Sequence, residues 1–218
     1  MSQLYSKNGE YPRPIPNRIV LSDGRSRTKP ESFTSAEILD SGYIEVQSPP
    51  SYNGGWQQLN WNGETFQWFI SDRPLEDIVK EKKQAIHNRR DRYIFSTKYV
   101  HLSETLTVPI DMRDARDIQN LTNIIQKASV QKQLNNTSLM RFRDALNEVH
   151  LLSSDEILRI GEGAFEIIDS IYTESWIKKA QLYALTTAEE AFNFDTFWPK
   201  PSTVNPFFVE ANTPGPLL

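Results

Sequence analysis

Thirteen prolines are spread unevenly along this chain, and their placement limits its fold more than any other feature. Seven lie at or before Pro74 and five at or after Pro199, with Pro109 alone between them. Proline lacks an N–H and clashes with the preceding helical turn, so long helices are confined to the middle. The expectation is an α+β fold in three parts. Residues 1–74 form a small β-rich attachment module, 75–192 a helical domain with short β ribbons, and 193–218 an extended arm rich in proline and aromatics.

The middle part is organised around Val108–Leu121, where an extended segment turns into a helix. Pro109 biases the chain before it to extended geometry, Asp111 stands where an N-cap is wanted, and Asp114 follows at capping-box spacing. Ala115, Ile118, Leu121, Ile125 and Ala128 then supply an apolar stripe, and Asn135-Asn136 ends the helix. Upstream, Leu75–Arg92 reads as a charged helix whose basic and acidic residues interleave, a salt-bridged face turned to water. Tyr93–Phe95, Tyr99–Leu102 and Thr105–Val108 read as a small β ribbon, and Leu139–Phe142 and Glu148–Leu151 as two further strands. Ser153 and Glu156 form a second capping box at the start of the longest helix. Its apolar face is Ile157, Ile160, Ala164, Phe165, Ile168, Ile171, Tyr172 and Trp176, with Gly161 and Gly163 leaving room for another helix to approach.

In the first part, Ser35–Gly42 reads as one or two helical turns closed by a glycine, between short strands at Arg18–Leu21 and Gly42–Gln47. Gln57–Trp61, the turn Asn62-Gly63 and Thr65–Phe69 form the strongest hairpin signal, since Asn-Gly suits a two-residue turn. Trp56, Trp61, Phe66, Trp68 and Phe69 gather around it. A small sheet needs large side chains to bury area, so packing in a core or subunit interface outranks an exposed ligand face. The last part carries Phe194, Phe197, Trp198, Phe207 and Phe208, too apolar for an idle tail, and reads as an arm lying on its own domain or on a neighbouring subunit. The five hairpin aromatics and Phe197, Trp198, Phe207 and Phe208 are therefore the candidate partner-contact residues.

Catalytic and metal chemistry finds no motif. There is no cysteine, which removes disulfides and thiolate chemistry together. His87, His101 and His150 lie far apart with no histidine or carboxylate at ligand spacing, and Asp111, Asp114 and Asp117 are explained by the positive end of a helix rather than by a calcium loop. No phosphate-cradling glycine loop or nucleophile elbow occurs. The reading is a non-enzyme without cofactor or metal. The net charge of −4 gives no attraction to nucleic acid, and the absence of a signal-like or membrane-spanning apolar run predicts a chain made in a cytoplasm and not held in a membrane.

The order of elements over Leu75–Ala188 resembles a domain of uncharacterised function found in tailed-bacteriophage tail-fibre and tail-fibre-associated proteins. The residues that carry the resemblance are Arg89-Arg-Asp-Arg92, Ile110-Asp-x-x-Asp-Ala-x-x-Ile118, Phe142-Arg-Asp144 and Ile157-x-x-Ile-Gly161; Asp111-Met-Arg-Asp-Ala replaces the more regular Asp-x-Asp-x-x-Ser of the usual form. The resemblance implies a virion or virion-assembly protein, made in the host cytoplasm, with other phage tail proteins as partners and a homo-oligomeric state. A trimer follows only by analogy with tail fibres. Its functional alternatives are a structural tail component, an assembly chaperone absent from the mature particle, and a host-glycan-binding module using the Trp56–Phe69 hairpin.

Overall fold

The computed structural model describes residues 3–199 and 203–204 and shows an α+β fold with five helices and short ribbons among them. The chain divides into two compact units. One consists of residues 1–79 and 186–193, the other of 80–185 and 194–218. The division differs from the three consecutive parts expected. One boundary falls inside a helix rather than at Pro74, and residues 186–193 return to the N-terminal unit.

In the N-terminal unit, β1 (Leu4–Lys7) lies between β2 (Arg13–Pro14) and β5 (Tyr43–Val46) in an antiparallel sheet. A second ribbon joins β3 (Arg18–Val20) to β4 (Ser26–Thr28). Helix α1 (Ser35–Asp40) starts on a capping box between Thr34 and Glu37 and ends at Gly42, whose φ of 83° and N–H bond to the Leu39 carbonyl make the glycine stop that the sequence implied. Ile19, Leu21, Val46, Ile78, Ala188 and Ala191 are the buried apolar residues among those described in this unit.

Strands β6 (Gln57–Asn62) and β7 (Gln67–Asp72) form the expected hairpin, but its turn is longer than Asn-Gly. Residues 63–66 form the loop. The Asn62 carboxamide oxygen accepts from the N–H groups of Glu64 and Thr65, and Phe66 rather than Gly63 takes the left-handed backbone, at φ 54°. Gly63 serves a different purpose: a Cβ there would lie 2.2 Å from the carbonyl oxygen of Gly9, so two backbones meet where only glycine fits.

Helix α2 (Leu75–Ile94) runs two residues past the charged stretch. Tyr93–Phe95 is thus not a strand. Ile78, Ile86 and Ile94 are buried at eight-residue intervals, so the helix continues until its third isoleucine is covered. Directly beyond its end, β8 (Lys98–His101) begins with a fully buried lysine. The Lys98 ammonium donates to the carbonyls of Tyr93, Ile94 and Ser96 at 2.6–2.9 Å and to the Ser96 hydroxyl at 3.0 Å. A cation is thereby set against the negative end of α2.

β8 pairs antiparallel with β9 (Thr107–Ile110) and parallel with β12 (Thr203–Val204). Pro109 lies on the outer strand of this sheet, where its missing N–H breaks no ladder bond, and its carbonyl accepts from Ala145. Helix α3 (Ala115–Gln133) is capped by Asp114, whose carboxylate accepts from the N–H groups of Arg116 and Asp117. Asp111 is not the cap; it is engaged by the Arg113 guanidinium. Strands β10 (Met140–Arg143) and β11 (Val149–Leu152) pair in register, and α4 (Ser154–Tyr183) opens on the Ser153–Glu156 capping box.

Val100, Val108, Ile110, Leu121, Ala128, Phe142, Ile157 and Ile160 belong to the continuous core of this second unit. Gly161 receives the Ile125 side chain of α3, and Gly163 receives Val100 of β8. The buried stripe of α4 turns further round the helix than expected. Ile171 is covered as expected and Ile167 is covered beside it, whereas Phe165 and Trp176 face outward. Helix α5 (Ala188–Asn193) belongs to the N-terminal unit, where a Cβ on Gly55 would collide with the Phe192 ring.

Candidate functional site

The hairpin aromatics separate into an ordered cluster and two outliers. Trp61 and Trp68 face each other across β6 and β7 with ring centroids 5.1 Å apart. Phe66 packs edge-on to Trp61 at 6.2 Å, and Tyr11 to Trp68 at 5.2 Å. These T-shaped contacts set ring edges against ring faces, the favourable arrangement of aromatic quadrupoles. Trp61 donates its indole N–H to the Gly9 carbonyl and Trp68 to that of Gln47. Trp56 sits at the open end of the hairpin, half-buried, with its carbonyl accepting from Arg73. Phe69 points away and is exposed. The sequence carries no signal for Tyr11, which stands at the start of the proline-rich residues 11–16, where proline spacing masks side-chain direction.

Phe197 and Trp198 are held on their own unit. Trp198 is buried and stands edge-on to Tyr93, whose hydroxyl donates to the Trp198 carbonyl at 3.0 Å. Arg89 lies over the Phe197 ring at 4.6 Å and 6.0 Å from the Trp198 ring. Lys82 donates to the Phe194 carbonyl and Lys178 to that of Asp195. Lys82 and Arg89 therefore grip this segment, where the sequence pattern had assigned the basic residues of α2 to a salt-bridged face. Phe207 and Phe208 lie outside the described residues.

A cleft of about 380 Å³ opens in the second unit between β9, α3 and the β10–β11 hairpin. Ile110, Leu121 and Phe142 form its apolar wall, and Asp117, Asp144 and Asn147 its polar one. Asp144 is almost fully covered. One carboxylate oxygen accepts from the N–H groups of Leu146 and Glu148, both at 2.8 Å, and the other lies 3.0 Å from His150 Nε2. Burial works to raise the Asp144 carboxyl, but the His150 hydrogen bond and the two backbone N–H groups outweigh it and hold the group below the ordinary carboxylate value.

Asp144, Glu148 and His150 each offer a ligand atom within 4.8 Å of the others, so they are a group that could hold a metal ion. The sequence showed no carboxylate at ligand spacing from any of the three histidines. A hairpin turn folds residue 144 onto residue 150, and linear spacing does not register that. The visible work of the group is structural, since both Asp144 oxygens already close the turn.

Beyond this cleft the β10–β11 ribbon presents an uncovered face. Inward-facing Met140, Phe142 and Leu152 are buried, while Leu139, Val149 and Leu151 are all about 60% exposed, with Arg141 and Arg143 beside them in the register. Leu146 at the turn and Leu134 at the end of α3 are exposed still further. Among the described residues no strand pairs with the outer edge of either β10 or β11.

Residues 77–196, more than half of the chain, match the family described as Domain of unknown function (DUF4376). No curated protein and no solved structure matches the chain.

Proposed function

This chain belongs to the family Domain of unknown function (DUF4376), and on that premise we propose that it is a non-enzymatic structural component of a bacteriophage tail. It would be associated with the tail fibre or baseplate and act by oligomerising and attaching to other tail proteins. The observation that carries this reading is the outer face of the β10–β11 ribbon. Exposed leucines and a valine on a ribbon whose outer edges no strand pairs among the described residues are a surface that a protein covers with a partner. The tail-associated pattern read over Leu75–Ala188 supplies the kind of partner.

A fibre-assembly chaperone would use the same surface transiently, so the two readings differ in where the protein ends up. Mass spectrometry of purified particles separates them. Stoichiometric presence in the tail is the expected result; presence in infected cells with absence from mature particles would assign the chaperone role instead.

A further inference from the structure

The N-terminal unit carries a groove of about 500 Å³ between the end of β5, with the residues after it, and the start of β7. Its polar lining includes Glu45, Gln47, Thr65 and Gln67, and the rings of Phe66 and Trp68 contribute to its apolar lining. The bond from the Trp68 indole N–H to the Gln47 carbonyl, at 2.8 Å, ties the two sides together. Phe66 keeps its left-handed backbone at this rim, an arrangement that a bulky side chain rarely adopts and that concentrates at ligand-holding sites.

We propose that this groove binds a neutral saccharide. The C–H face of a sugar ring stacks on aromatic rings, while carboxylate and carboxamide side chains pair with neighbouring hydroxyls as acceptors and donors. Glu45, Gln47 and Gln67 supply those planar groups around Phe66 and Trp68. No lysine or arginine is among the lining residues, so nothing favours a phosphate, sulfate or uronate. The volume is that of an ordinary small-ligand site and takes one or two sugar rings. The competing occupant is an extended peptide added to the edge of β5 that no strand pairs among the described residues, which would be held by main-chain bonds rather than by the Glu45 and Gln67 side chains. The groove lies in the unit that contributes residues 1–79, almost wholly outside the family match, so it stands apart from the assembly reading.

The test uses the full chain on a printed array of neutral and N-acetylated hexose oligosaccharides, followed by calorimetric titration of the strongest binder. Glu45→Ala and Gln67→Ala alter exposed side chains, and circular dichroism checks that both variants keep the fold. The expected result is saccharide binding that quenches tryptophan fluorescence and weakens about tenfold in each variant. An array without neutral binders, an affinity unchanged in both variants, or capture of extended peptides alone would overturn the proposal.

Discussion

Asp144 is buried and closes the β10–β11 turn with two backbone N–H groups and His150. Its carboxyl is held below the ordinary value, so the folded state binds its proton less readily than the unfolded chain does. The stabilisation is therefore complete above the unfolded value near ~3.9 and is lost as pH falls through the lower folded value. Asp144→Asn should lower the urea midpoint at neutral pH and flatten the acid limb of stability, measured by unfolding between pH 2 and 7. Lys98 makes the complementary case with a cation. Its ammonium satisfies three carbonyls at the end of α2 without exposure to water, and Lys98→Met removes that donor from all three, leaving the Tyr93 carbonyl only the Ser96 hydroxyl. A loss of about 2–3 kcal/mol is expected in chemical unfolding. Neither role was legible in the sequence, because each joins groups that only a completed turn or helix end brings together.

At the scale of elements, features set by near neighbours are the ones the sequence carries. The Ser153–Glu156 box, the glycine stop at Gly42 and the two short strands at β10 and β11, each one residue further along than expected, depend on neighbours within a few residues. Aromatic content favours a strand at Tyr93–Phe95 locally, while the burial of Ile94 decides for helix at long range. The start of α3 shows a finer failure. Two aspartates compete for the cap, and Arg113 settles it by engaging Asp111 and leaving Asp114 to the helix. Asp114→Ala should accordingly destabilise the fold by about 1 kcal/mol, and Asp111→Ala by clearly less, in parallel thermal melts. Among the site candidates, Trp61, Phe66 and Trp68 come together as the hairpin implied. Phe69 does not join them, since it follows Trp68 directly in β7 and successive side chains of a strand point to opposite faces.

On the scale of the whole molecule, the proposed assembly surface makes a direct prediction. Val149→Asp with Leu151→Asp changes only exposed side chains of the ribbon, so the fold should persist while self-association fails. Light scattering behind size exclusion should show an oligomer for the wild type and a monomer for the double variant; identical masses would exclude the ribbon as the contact between copies. The chain also passes between its two units three times, at 79/80, 185/186 and 193/194. Residues 186–193 complete the N-terminal unit, and Gly55 is shaped to admit Phe192. During synthesis, the part made first must therefore wait for α5 to leave the ribosome. At ordinary elongation rates that delay is on the order of ten seconds. Through that interval the seat at Gly55 has no Phe192 to fill it, so the module translated first is completed by a segment made more than a hundred residues later.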